Sequence, residues 1–145
     1  MKLSVCRGEI ENSKKLYEVS YDAVDLFPNQ VNAFVFHSIA LALKNEVGEA
    51  QSFLSEAKLI AGKNEVLKTQ INIAETWISI PSLSKDDIRN SLKSFDLSQI
   101  TNPIFFEFVG DIYQVVPDNA KSKDFWQKAI ELGGNDKRLK KKLGA

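Results

Sequence analysis

The chain has 145 residues, 43% of them hydrophobic and 26% charged, which is the composition of an ordinary globular domain or a short repeat array. Its formal net charge of zero argues against binding to nucleic acid through an overall positive charge. A single cysteine, Cys6, excludes an internal disulfide, and no apolar run approaches the ~18 residues of a membrane span.

The start of the chain does not resemble a secretory signal, because its apolar part is too short. We therefore expect a soluble protein of the cytoplasm or the periplasm, with the compartment unknown. The absence of a signal carries little weight if the chain is a fragment of a longer protein.

Apolar residues recur with the 3.6-residue period of helices along nearly the whole chain, and strand-like alternation is scarce. Turn and cap residues divide the pattern into a series of short helices. In chain order, the predicted helices cover 1–10, 14–27, 32–44, 49–61, 65–79, 85–95, 103–115, 120–132 and 136–143 (the first of these has a weak signal).

Particular residues mark the helix ends. Ser84, with Asp87 three residues later, resembles a capping box, and Asn64 also stands where an N-cap is expected. Asn102 precedes Pro103, which is well tolerated in the first turn of a helix. The connections between successive helices are short, which favours antiparallel pairs.

Small residues recur every 36 residues, at Ser38, Ala74 and Gly110, on the first helix of successive helix pairs. The pattern is sharpest around Gly110, where it reads Phe106-x2-Val109-Gly110-x2-Tyr113, followed by Ser122-x3-Trp126-x2-Ala129. Large residues stand where two antiparallel helices meet, and small ones where their backbones approach closely.

This spacing resembles the tetratricopeptide repeat (TPR) family, and the stretch from Gly110 to Gly133 resembles the last repeat of bacterial TPR proteins. The resemblance implies an all-α fold, namely a right-handed α-solenoid of helical hairpins with a C-terminal capping helix. The implied organisation of this single domain is a partial or degenerate hairpin (1–28), three repeats (31–62, 65–98 and 103–133) and the capping helix (135–143).

The resemblance further implies a non-catalytic scaffold that binds a peptide or partner protein on the concave face of the array. Residue matching places eight residues in this partner-binding groove: Val35, Phe36, Ile39, Asn72, Glu75, Glu107, Phe108 and Asp111. The groove is expected to be apolar at one end and acidic at the other, which suits a segment carrying a hydrophobic anchor and a Lys or Arg. Two alternatives remain open: Phe36 and Ile39 pack against the first hairpin, and the acidic side chains are solvated.

An alternative function is a structural or self-associating unit of a larger bacterial TPR protein, joined through apolar surface on the N-terminal hairpin. Enzymatic activity, metals and cofactors are not expected, since His37 is the only histidine and no phosphate-binding or nucleophile motif occurs. We expect His37, Trp77 and Trp126 in the core, and Cys6 as a small buried residue.

The C-terminal segment is basic, with eight Lys or Arg against three Asp or Glu from Lys121 to Ala145. Contact with nucleic acid or with an anionic membrane surface is one interpretation. The favoured interpretation is a cap whose cations stabilise a helix C-terminus while Leu139 and Leu143 cover the last hairpin. We therefore expect no nucleic acid among the partners. We also expect no membrane span in the chain.

Overall fold

The computed structural model describes residues 31–134 and 136–144, which form helices and turns and contain no strand. The α-helices in these ranges are α1 (Val31–Leu43), α2 (Val47–Ala61), α3 (Glu65–Ser79), α4 (Lys85–Ser94), α5 (Pro103–Val115), α6 (Asn119–Glu131) and α7 (Asp136–Lys142), with a short 3₁₀ helix (Ile80–Ser82) before α4. The expected all-α fold class is confirmed. The helices predicted before residue 31, and Cys6, lie outside the described residues.

The predicted N-caps are confirmed by their hydrogen bonds. Asn64 Oδ1 accepts from the backbone N–H of Leu67 at 3.0 Å, and Ser84 Oγ accepts from that of Asp87 at 3.1 Å. Asn102 Oδ1 likewise accepts from the N–H of Ile104, at 3.0 Å. These side chains satisfy backbone donors that the first turn of a helix leaves without a partner.

The predicted helix ends differ from the observed ones by at most one residue except at α2, which begins at Val47 and not at Glu49. The backbone N–H of Ala50 donates to the carbonyl of Glu46 at 3.0 Å, which starts the helical ladder two residues earlier. The reversal of the chain is confined to the turn before it, where Asn45 has a positive φ of 64°.

The chain divides into two units, residues 1–71 and 72–145, and α3 contributes to both. In the described part of the first unit, α1 packs against α2, and Ala50 and Ala57 on α2 are fully buried. His37 is 1% exposed and meets the ring of Phe53 edge-on, with centroids 4.6 Å apart. The expectation of a core histidine is confirmed.

In the second unit, α5 packs along α6, and the small-and-large pattern of the sequence has its physical cause here. A Cβ atom at Gly110 would lie 2.5 Å from Trp126 Cδ1 and 3.0 Å from the carbonyl oxygen of Ser122. The indole of Trp126 therefore occupies the space that a side chain at position 110 would need. Trp126 and Trp77 are both buried, as expected.

Two further helices complete this unit: α4 contacts α5, and α7 packs on α6. The guanidinium of Arg89 on α4 donates to the carbonyl of Val116, just after α5, at 2.9 Å. Leu139 is the fully buried residue of α7. Over residues 31–134 and 136–144, no helix has the length and apolar character needed to cross a membrane.

Candidate functional site

Two carboxylates stand out on α5, an otherwise apolar helix. Glu107 and Asp111 are one helical turn apart, so they share a face, and they are only 3% and 4% exposed. Burying an ionised carboxylate is costly unless charged or polar partners replace its water. Each of these two buried carboxylates therefore requires hydrogen-bonding or charged partners.

Arg138 on α7 forms a two-pronged ion pair with Glu107. Its Nη2 donates to Glu107 Oε1 at 2.6 Å and its Nε donates to Glu107 Oε2 at 2.8 Å. The ammonium of Lys142, one turn further along α7, donates to the same Oε2 at 2.7 Å. Paired charge-assisted hydrogen bonds of this type fix orientation as well as charge.

Asp111 has donors on both of its oxygens. Oδ1 accepts from Trp126 Nε1 at 3.1 Å and from Lys142 Nζ at 2.9 Å. Oδ2 accepts from Trp77 Nε1 at 3.3 Å and from Lys142 Nζ at 3.0 Å. A single carboxylate thus connects the end of α3, α5, α6 and α7. We call Glu107 and Asp111 together the acidic face of α5.

The sequence of α7 suits this acidic face. Arg138 and Lys142 are four residues apart, as are Glu107 and Asp111, so two cations on one side of a helix meet two anions on one side of another. Leu139, beside Arg138, supplies the buried apolar contact. The result is a short basic helix held by charge at two points and by one hydrophobic anchor.

Two glycines bring α7 into position. Gly133 has a φ of 92°, a conformation that other residues rarely adopt, and it ends α6. A Cβ at Gly134 would lie 2.8 Å from the carbonyl oxygen of Ala129 and 2.9 Å from Leu139 Cδ1. The missing side chain at 134 lets the backbone pass close to α6 and lets Leu139 enter.

The cluster contains two carboxylates and two cations, and their pKa values depend on burial and on one another. Burial is the largest influence on the pKa of Glu107 and would raise it, but the hydrogen bonds and charges of Arg138 and Lys142 outweigh burial and hold it below its usual value. Burial raises the pKa of the Asp111 carboxyl, against the opposing charge of Lys142. Burial would lower the pKa of Lys142, but the Asp111 and Glu107 carboxylates keep it above its usual value.

The residues predicted for the groove differ widely in their exposure to solvent. Val35 and Ile39 in the first unit are 0% and 3% exposed, so their side chains belong to the core and are covered in this structure, while Phe36 is half-buried. In the second unit Asn72 is exposed and Glu75 is half-buried.

Of the predicted groove residues, Glu107, Phe108 and Asp111 lie together on α5. Phe108 is buried against Trp77, with ring centroids 5.0 Å apart. The alternative of solvated acids is wrong for Glu107 and Asp111, because α7 covers them and supplies their counter-charges.

Sequence reasoning missed Arg138 and Lys142 as partners of the acidic face. It favoured the basic segment as a cap, and the buried Leu139 and half-buried Leu143 agree with that interpretation. The prediction that its cations stabilise a helix C-terminus does not account for two of them, Arg138 and Lys142, which bind carboxylates of α5. The matching four-residue spacings of the acids and of the bases are the signal that could have found the pairing.

Among the residues that the structure describes, no group of three or more His, Cys, Asp or Glu side chains is arranged to hold a metal ion.

Comparison with known proteins found no match to the chain among family models, curated proteins or solved structures.

Proposed function

We propose that this chain is a non-catalytic protein-binding scaffold, whose helix pairs stack in the manner of a TPR α-solenoid. Within it, the acidic face of α5 is the binding site for a helical segment of a partner protein. One observation carries the proposal: Glu107 and Asp111 already hold a separate short helix, α7, through a guanidinium and an ammonium group.

The size of α7 supports a binding site rather than ordinary core packing. An isolated helix shorter than ~12–15 residues is marginal in water, and α7 has 7 residues. Its helical form therefore depends on the surface that it contacts. A surface that orders so short a segment has the properties of a helix-binding groove.

The contacts also define the chemistry of the segment that fits. The first position is a cation that pairs with Glu107, the next is an apolar residue in the place of Leu139, and a second cation follows one turn later, where Lys142 reaches both carboxylates. This agrees with the sequence-based hypothesis of a ligand with a hydrophobic anchor and a Lys or Arg. Buried ion pairs add selectivity because a mismatched residue leaves a buried carboxylate without a partner.

Selection from a library of displayed peptides tests the proposal. The target is the full chain carrying Arg138→Glu and Lys142→Glu, in which like charges push α7 away from the acidic face. The control adds Glu107→Gln and Asp111→Asn to the same chain. We expect enrichment of peptides with the pattern cation, leucine, two residues, cation, and loss of that enrichment in the control. Equal enrichment on both targets, or none on either, would contradict the proposal.

Self-association remains an alternative prediction. It would use the N-terminal hairpin, which lies outside the described residues.

A further inference from the structure

We infer that α7 closes the acidic face within the same chain, so that a partner binds only by displacing α7 with a basic helix of the same pattern. This inference rests on the proposed function and adds to it the regulation of the site and the chemistry of the displacing segment. Three features of the cluster carry it: its saturation with donors, the exposure of its cations and the short connection to α6.

First, the acidic face has almost no capacity left for a further cation while α7 is docked. Each oxygen of Asp111 accepts two hydrogen bonds, and Glu107 accepts three in total. A carboxylate offers about four acceptor sites, so Asp111 is filled and Glu107 nearly so. Because both are also almost fully buried, an incoming Arg or Lys has to replace Arg138 or Lys142.

Second, the cations of α7 keep a route to solvent. The side chains of Arg138 and Lys142 are 30% and 22% exposed, whereas those of Glu107 and Asp111 are 4% and 6% exposed. In a buried ion pair, the attraction between the charges only slightly exceeds the free energy lost when both groups leave water. On release, the two cations and the two carboxylates all regain water, so the net free energy that holds α7 is small for so many contacts.

Third, the connection from α6 to α7 makes α7 a strong local competitor. It consists of a few residues after Leu132, including Gly133 and Gly134, so α7 cannot move far when it is released. A short connection gives a tethered segment a local concentration in the millimolar range. Consider a free segment whose intrinsic affinity for the acidic face equals that of α7, with a dissociation constant of ~100 μM. Its affinity for the closed chain should be lower by a factor of about ten or more.

The test uses a fluorescein-labelled peptide with the sequence of residues 136–144 as the probe. Its binding is measured by fluorescence anisotropy to the full wild-type chain, to the R138E/K142E chain and to a matched control, K137E/K141E. The control changes the net charge equally, but its two lysines are exposed and make no contact with the acidic face. We expect the R138E/K142E chain to bind the peptide about tenfold or more tightly than the other two chains.

Circular dichroism and the NMR signal of the Trp126 indole N–H report whether the R138E/K142E chain is folded. If it is not, R138Q/K142M replaces it, since these neutral side chains are close in size to the originals and the same comparison applies.

Equal affinity of the wild-type and released chains would overturn the closure by α7, while the binding scaffold would stand. Failure of the released chain to bind this peptide, when the library still yields carboxylate-dependent binders, would overturn the inferred chemistry of the displacing segment alone. Failure of both the peptide and the library would overturn the inference together with the proposed function.

Discussion

The indole of Trp126 donates its Nε1 hydrogen to Asp111 Oδ1 at 3.1 Å, and this bond depends on the residue before Asp111 in the chain. Gly110 faces the same indole, and a Cβ there would lie 2.6 Å from Trp126 Nε1. The lack of a side chain at position 110 therefore lets the indole approach α5 closely enough to reach the carboxylate. Helix packing and the acidic face share one structural requirement.

Replacing Gly110 with Ala should destabilise the fold although alanine is the better helix former. Removing a glycine from a helix interior gains up to about 1 kcal/mol. Forcing a methyl group into the packed Trp126 costs about 1–3 kcal/mol, and the nearby Ser122 carbonyl is backbone that cannot rotate away. We expect a net loss of up to about 2 kcal/mol in the free energy of unfolding, measured by urea denaturation.

Gly48→Ala is the matched control, because Gly48 lies in α2 and a Cβ there meets nothing within 4 Å. We expect this variant to be as stable as wild type or more stable. A G110A chain that gained stability in the same way as G48A would show that Trp126 moves at no cost, against the packing described above.

Much of the fold could be predicted because the signals are local. Helix periodicity, the caps at Asn64 and Ser84, and the pairing of a small residue at Gly110 with a large one at Trp126 all depend on short stretches of sequence. These features follow from backbone geometry, and the described helices reproduce them. The solenoid arrangement of the pairs stays a prediction, since it concerns the two units together.

The state of the acidic face could not be predicted by the same means. Glu107 and Arg138 are separated by 31 positions in sequence, and no local rule connects them. The resemblance to TPR proteins predicts Glu107 and Asp111 on an open concave face, and so as surface residues. Here the capping segment carries cations with matching spacing, and pairing makes burial of both charges favourable enough to occur.

Glu107→Gln should lower stability at neutral pH but not in acid. The pKa of Glu107 in the folded chain lies below its ordinary value of 4.5, so the ionised form stabilises the fold above pH 4.5. This contribution is lost as the pH falls through the folded-state pKa. We expect wild type to exceed E107Q by about 2 kcal/mol at pH 7, the scale of hydrogen bonds to charged groups, and the difference to shrink below pH 4.5.

The measurement is urea unfolding of both chains between pH 3 and pH 7, followed by tryptophan fluorescence. Glu131→Gln serves as the control, because Glu131 is exposed at the end of α6 and its replacement should change stability little. A difference between E107Q and wild type that stays constant down to pH 3 would mean that the charge of Glu107 is not what holds α7.

His37 should make the first unit less stable in mild acid. Burial is the main cause that lowers the pKa of His37 below 6.5, with Lys44 acting in the same direction and Glu46 opposing both. The unfolded chain therefore binds a proton more readily than the folded one. Stability should fall as the pH drops below 6.5 and level off below the folded-state pKa, because there both states are protonated.

Because His37 is the only histidine, its NMR titration can be assigned without ambiguity. The midpoint should lie below 6.5, and His37→Gln should flatten the slope of stability against pH between 6.5 and that midpoint. The variant also loses the ring contact with Phe53, so the slope and not the absolute stability is the informative quantity. A midpoint at or above 6.5 would contradict the buried, neutral state of the ring.

Chemical labelling of lysines can report how tightly α7 is docked. The Lys142 ammonium is held between Glu107 and Asp111, whereas the neighbouring Lys141 is exposed, so an acetylating reagent should modify Lys142 much more slowly. Gly134→Ala should remove this protection, because the added methyl group would meet the Ala129 carbonyl and Leu139 within 3 Å.

If the overpacking cost of about 1–3 kcal/mol acts wholly against docking, Lys142 should be modified about 5- to 150-fold faster. Quantitative mass spectrometry gives both rates in one sample, and the rate at Lys141 is an internal control that should not change. Gly48→Ala should leave the Lys142 rate at its wild-type value, since it affects only the first unit. Equal rates at Lys141 and Lys142 in the wild-type chain would show that α7 spends most of its time away from the acidic face, and closure would then be too weak to regulate binding.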